Sequence, residues 1–346
     1  MLHRQTDDSE ISQTMKNGTK IYYLGPDSNS PRGGIKVIYE HVDILNGAGF
    51  SAYVLHKKKG FRCNWFDNST AISYLKKSMF QEKDFIVIPE IYAKFFLKNR
   101  KATKKSKIFW RIFNTPAQKI IFNQHSYMTF IGHAFNHNDV RTVYNDKSII
   151  AVMVVSEDNK RYLNYVFPDM KIFRVHNSID TGLFRYQPEK KKQICFIPQK
   201  NRDEFVQLIN ILNQRNVLSD WRLVPIENKS RKEVAAILQE SMFFINLVYQ
   251  EGFGLPSAEA MACGCTVIGY HGMGGKEFYR PEFCFPVETG NIVEVAKTIV
   301  QVLVLFENEP KSLHEKAAKA SEFIRKNYSY EIQKRDVLGF WNEIFR

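Results

Sequence analysis

Apolar residues along this chain gather in short runs, separated by turn residues and by stretches with helical periodicity. Lys20 to Leu24 is β-rich and ends at Gly25-Pro26, which predicts a first strand. A polar loop follows, then Gly33-Gly34 opens a helical pattern through Leu45, and a turn at Gly49 leads into a strand at Ser51 to His56. Further strands are predicted at Phe85 to Ile88, Lys119 to Asn123, Ile149 to Val155 and Lys171 to Val175, with helical stretches between most of them. Strands that alternate with helices specify a parallel, doubly wound α/β sheet.

The pattern restarts after the charged break Pro188 to Lys192. Strands are expected at Gln193 to Ile197, Trp221 to Ile226, Met242 to Leu247 and Thr266 to Gly269, with a helix at Asp203 to Leu212. Ser230 and Glu233 form a capping-box signature for a helix through Leu238, and Pro256 to Ala262 is a short helix. The expected organisation is a disordered lead-in at 1–19 and a first domain at 20–185. A second domain at 186–329 follows, and a last helix at 330–346 returns to the first domain.

One string carries most of the chemistry: Glu251-Gly252-Phe253-Gly254-Leu255-Pro256-Ser257-Ala258-Glu259, followed by Ala260-Met261-Ala262-Cys263-Gly264. A glycine-rich loop runs straight into a helix whose first turn holds a proline. The free N–H groups and positive dipole end of such a helix suit a phosphate. Glu251 and Glu259 bracket the loop, and carboxylates accept hydrogen bonds from vicinal hydroxyls.

This string resembles the Glu-x7-Glu element of the retaining glycosyltransferases of family 4. Val154-Val155-Ser156-Glu157, Asn177-Ser178-Ile179-Asp180 with Phe184, and Gly274-Gly275-Lys276-Glu277 are similar to further segments of that family, Ser178 standing where glycine is usual. The resemblance implies a GT-B fold, two Rossmann-like doubly wound parallel-sheet domains facing across a cleft. It implies transfer of a sugar from a nucleotide diphosphate to an acceptor hydroxyl with retention. Glu251 would contact the donor sugar and Glu259 the ribose, with backbone N–H groups of Phe253 to Leu255 on sugar and phosphates. Lys200 and Arg202 would neutralise the departing diphosphate. Gly33-Gly34 would be the glycine loop of the first domain, and His125 the histidine near the reacting sugar, with His133 and His137 as competitors.

Composition narrows the setting. A chain of 346 residues has room for two domains. No apolar run approaches the ~18–20 residues that span a bilayer. The five cysteines (63, 195, 263, 265 and 284) include no CxxC, so reduced thiols and a cytoplasmic setting are expected. There is no Asp-x-Asp, the carboxylate pair that would hold a divalent ion on a diphosphate, so no metal and no cofactor beyond the donor substrate are expected.

The net charge of +13 resides almost wholly before residue 186. Lys94 to Arg111 is basic and interleaved with Phe95, Phe96, Phe109, Trp110 and Phe113. It reads as a core-facing helix with a solvated lysine face, as a surface for docking the inner face of an anionic membrane with a lipid-linked or anionic acceptor, or as a nucleic-acid contact. A sugar-nucleotide 2-epimerase and a degenerate glycan-binding module are the rival readings of the whole chain.

Overall fold

The computed structural model describes residues 18–76, 79–96, 104–133 and 142–346. Most of the expected lead-in, part of the basic stretch and His137 lie outside these residues. Elements are numbered in chain order. The first half holds β1 (Ile21–Leu24), α1 (Gly33–Gly47), β2 (Ala52–His56), β3 (Ile72–Tyr74) and β4 (Phe85–Pro89). It continues with α2 (Lys104–Phe113), β5 (Gln118–Asn123), β6 (Ile149–Val154), α3 (Glu157–Val166) and β7 (Ile172–Arg174). The second half holds β8 (Lys191–Phe196), α4 (Arg202–Gln214), β9 (Arg222–Pro225), α5 (Arg231–Glu240), β10 (Ser241–Asn246) and α6 (Leu255–Ala262). β11 (Thr266–Gly269), β12 (Phe285–Pro286), α7 (Ile292–Asn308), α8 (Pro310–Asn327) and α9 (Tyr330–Ile344) complete it.

The chain divides into two compact units. One comprises the chain up to Val155 together with Asn159–Val175 and Lys334–Arg346, and the other Ser156–Asp158 and His176–Gln333. The division thus falls at 175/176, while 185/186 was expected. The reason is local: the Ile179 N–H donates to the Tyr328 carbonyl at 2.8 Å, and Phe184 packs buried under the Arg231 guanidinium.

In the first unit seven parallel strands take the order β3-β2-β1-β4-β5-β6-β7. The centre of the sheet is mostly apolar, as sheets covered on both faces require, with Lys119 and Asn123 of β5 as buried polar exceptions. All five residues of β4 are buried, and so are the last five of β5. Phe109 and Ile112 of α2 are fully covered, and Phe109 stacks on Phe95 at 4.8 Å. That aromatic face belongs to the core, worth roughly 1.5–3 kcal/mol for each large side chain. The buried Trp341 of α9 donates its indole N–H to Tyr23 Oη at 3.1 Å.

The second unit has five parallel strands in the order β12-β11-β10-β8-β9. Every residue of β10 is buried. From α7, Val295, Ala296, Ile299, Val302 and Leu303 pack onto the sheet, the i, i+3, i+4 stripe of an amphipathic helix. Lys190 ties two helix ends together: its Nζ donates to the carbonyls of Leu238, Gln239 and Cys263 at 3.2, 2.9 and 2.7 Å. A cation among C-terminal carbonyls meets both their hydrogen-bonding need and the dipole.

Candidate functional site

Open parallel sheets gather functional groups at the carboxyl ends of strands where the winding direction reverses. In the second unit that point lies between β8 and β10, which are neighbours although β9 intervenes in sequence. The turn after β8 carries Lys200, and the loop after β10 carries Glu251. Their side chains meet, with Lys200 Nζ 2.6 Å from Glu251 Oε2. Glu251 is only 8% exposed, whereas the Lys200 side chain is 41% exposed. The carboxylate is therefore fixed within the protein and its cation reaches outward.

The loop from Glu251 into α6 is shaped by Gly254. This residue caps the helix at φ 100°, ψ 44°, a left-handed conformation that costs a side-chain-bearing residue. A Cβ there would also come 3.3 Å from Glu251 Oε1. Pro256 lies in the first turn, where its missing N–H is no loss. The Ala258 N–H closes the first helical bond to the Gly254 carbonyl at 3.1 Å, and Gly252 and Phe253 are buried beside Glu251. Glu259 sits one turn further on, half-buried.

Arg202 takes a different course from Lys200. It begins α4, its side chain is 69% exposed, and it pairs with Glu227 at 2.9 Å. Sequence reasoning did not single out the groups behind Lys200. Asn201 bonds the Leu247 carbonyl at 2.9 Å and also Glu204, whose other oxygen accepts the Tyr270 hydroxyl at 2.8 Å. Together they brace the turn after β8 against the end of β10. Of the other motif residues, Glu277 accepts the Tyr328 hydroxyl at 3.0 Å and the Glu157 N–H at 3.3 Å. Ser178 Oγ donates to Gln333 at 2.7 Å. These contacts tie segments of the second unit to one another.

In the first unit the reversal lies between β1 and β4. Gly33 and Gly34 open α1 after β1, with Arg32 as an N-cap that offers no side-chain bond. Gln124, following β5, donates from Nε2 to the Gly34 carbonyl at 3.0 Å. Its backbone N–H donates to Glu90 Oε2 at 3.1 Å. Glu90, directly after β4, is 4% exposed, and burial pushes its carboxyl up to about 7 against the opposing pull of the Gln124 N–H. The sequence signal for it was a lone carboxylate at the end of the apolar run Phe85 to Pro89. His125 is half-buried and caps the short turn Ser126–Met128, its N–H bonded to Asn123 Oδ1 at 3.0 Å. His133 is also half-buried, edge-on to Phe130.

All five cysteines are free and buried. Among the described residues no group of three or more His, Cys, Asp and Glu is placed to hold a metal ion. No described helix is long and apolar enough to cross a membrane.

Residues 222–325 match the family model "Glycosyl transferases group 1". The chain is 25% identical over 247 residues to the alpha-1,6-glucosyltransferase of Actinobacillus pleuropneumoniae, covering 69% of each chain. Among solved structures it resembles sucrose-phosphate synthase from Thermosynechococcus elongatus, with TM-score 0.66 and 12% identity over 94% of this chain and 99% of that one. Anabaena HepE in complex with UDP and glucose gives TM-score 0.62 and 10% identity over 94% and 100% of the two chains. The two parallel α/β units are those of GT-B glycosyltransferase structures, and the second unit carries the glycosyltransferase group 1 match.

Proposed function

We propose that this protein transfers a glycosyl group from a nucleotide diphosphate sugar to an acceptor hydroxyl, with retention of anomeric configuration and without a divalent ion. The observation that carries the reading is the Lys200–Glu251 pair at the mouth of α6, beside the Gly254 turn. The HepE complex with UDP and glucose and the glucosyltransferase relative favour UDP-glucose as the first donor to try.

Glu251 would accept hydrogen bonds from hydroxyls of the transferred sugar, and Glu259 from the ribose diol. N–H groups from Phe253 to Leu255 would face the sugar and phosphates at the positive end of α6. Lys200 would take the diphosphate as charge grows on it, joined by Arg202 once that side chain leaves Glu227. Fixed cations stabilise a leaving diphosphate most where water is excluded. No side chain beside the pair is an evident covalent nucleophile. The acceptor oxygen would therefore attack C1 on the face from which the C1–O bond to the β-phosphate breaks, its proton passing to the released phosphate oxygen. Gly33, Gly34 and His125 of the first unit would serve the same reaction. A lipid-linked or otherwise anionic acceptor would suit the basic stretch at 94–111, which would then also dock the inner membrane face of the cytoplasm.

UDP release from UDP-glucose, followed in parallel with calorimetric binding of UDP, tests the reading. Glu251→Ala should lower turnover about 10²–10³-fold, the scale of one transition-state contact. Glu259→Ala should weaken UDP binding ten- to a hundredfold, since a charged hydrogen bond is worth ~1.5–3 kcal/mol. Turnover should survive EDTA. A folded Glu259→Ala variant that binds UDP as tightly as the parent would exclude the assignment.

A further inference from the structure

Among the described residues three that are not glycine have a positive φ, namely Asn216, Asn228 and Met273. Asparagine tolerates this region, but methionine gains nothing local from it. Met273 has φ 66° and ψ −65°, and the Gly274 N–H donates to the Gly272 carbonyl at 2.8 Å. This is a three-residue γ-turn of the rare and strained hand. Strained backbone persists only where its surroundings fix it, and here the surroundings include Glu251.

Glu251 and Met273 form an isolated parallel bridge. The Glu251 N–H donates to the Gly272 carbonyl at 2.8 Å, and the Gly274 N–H reaches the Glu251 carbonyl at 3.1 Å. The side chain of Glu251 lies on the same turn, since a Cβ at Gly272 would come 2.9 Å from its Cγ and 3.0 Å from Oε1. On the other side the Met273 N–H donates to His271 Nδ1 at 2.9 Å. That bond needs a neutral imidazole carrying its proton on Nε2. Burial first, and then the Lys276 charge, hold His271 below the usual imidazole range, with Asp158 acting the other way.

We infer that Met273 is a positioning residue: its strained turn, locked by neutral His271, sets the backbone and carboxylate of Glu251 for the sugar. The inference rests on the role of Glu251 proposed above. The two are separated by measuring UDP release and thermal midpoints for the full chain and for Met273→Gly, Met273→Ala and Glu251→Ala.

Glycine takes this φ without strain and leaves the turn free to leave it. Met273→Gly should therefore raise the thermal midpoint yet lower kcat about tenfold or more with KM for UDP-glucose little changed, because small misplacements at a reacting centre are costly. Met273→Ala keeps a Cβ and its restriction, so its kcat should stay well above that of the glycine variant. Wild-type kcat in Met273→Gly, alongside an inactive Glu251→Ala, overturns the positioning role and leaves the reading of Glu251 standing. A lowered midpoint in Met273→Gly shows that the turn stores no strain and equally overturns it. Full turnover in Glu251→Ala removes both, the fault then lying with Glu251.

Discussion

Glu251 and Glu90 occupy equivalent places in the two units. Each follows a central strand beside the point where its sheet reverses, and each is nearly buried, at 8% and 4% exposure. Their company differs. Glu251 has the Lys200 ammonium 2.6 Å away. Glu90 has no paired cation among the described residues and takes a backbone N–H from Gln124 at 3.1 Å, so its carboxyl holds its proton up to about pH 7. Similar burial thus gives a charged pair in one unit and a proton-holding carboxyl in the other. The second unit presents charge on a loop closed by backbone contacts, whereas the first ties its glycine turn with one amide side chain. The two should respond unequally to the same kind of substitution.

The largest effect is expected at Gly274. A Cβ there would fall 2.1 Å from the Gly252 carbonyl oxygen and 2.3 Å from its carbon, with Phe253 N at 2.6 Å. No side chain can give way, so the loop that carries Glu251 must shift. Gly274→Ala should cost about 3 kcal/mol or more in urea denaturation, beyond ordinary overpacking, with UDP affinity falling as well. Unaltered stability would mean that the loop yields as readily as a side chain, and the contrast between the units would be lost.

The contrast also marks how far the sequence could be read. Central strands such as β4 and β10 declare themselves because a strand covered on both faces is a continuous apolar run. β3 is half-buried at each of its three positions and β12 is two residues long, so neither leaves a pattern. The β-branched run in α7 looks like a strand until its buried positions are seen to fall at helical spacing. The sequence puts Glu251 and Lys200 each after a strand, but their contact depends on the sheet order that sets β8 beside β10. Arg202 does not follow Lys200 there. Lys200 ends the turn after β8 whereas Arg202 is the first residue of α4, so proximity in sequence says nothing about a shared partner. Glu90 was invisible because one carboxylate after an apolar run reads the same whether solvated or buried, and tertiary packing decides which.

A smaller effect, with opposite signs, should separate two buried titratable groups within the first unit. His41 is fully buried, stacks on Phe122 at 4.8 Å, and has no hydrogen-bond partner for either ring nitrogen among the described residues. Burial lowers it from 6.5 to about 3. The unfolded chain therefore takes up a proton below pH 6.5 that the folded chain refuses, and stability is lost as pH falls. Glu90 is raised from 4.5 to about 7, so stability is lost as pH rises through that window. Between pH 5 and 6.5 the two slopes oppose each other at about 1.4 kcal/mol per unit each. Relative to the parent, His41→Phe should gain about 2 kcal/mol on going from pH 6.5 to 5, and Glu90→Gln should lose a similar amount. Urea midpoints at the two pH values decide it, and variants that track the parent would deny both shifts.

The smallest stability effect should come from Gly34, where the comparison with Gly274 is most direct. The atoms nearest a Cβ on Gly34 belong to the Gln124 amide, with Oε1 at 3.0 Å and Nε2 at 3.1 Å, the far end of a side chain that can swing away. Moving it forfeits the 3.0 Å bond to the Gly34 carbonyl, a net loss of about 0.5–1.5 kcal/mol. Alanine inside a helix recovers roughly 0.5–1 kcal/mol over glycine. The two terms nearly cancel, so Gly34→Ala should melt within a few degrees of the parent. Turnover need not follow stability. If Gly34 serves the transfer reaction as proposed, the added methyl group should raise KM for UDP-glucose severalfold, an effect that Gln124→Ala would not share, because it loosens the turn without adding bulk. Equal KM in Gly34→Ala and the parent would remove the α1 turn from the donor site while leaving Glu251 and Lys200 untouched.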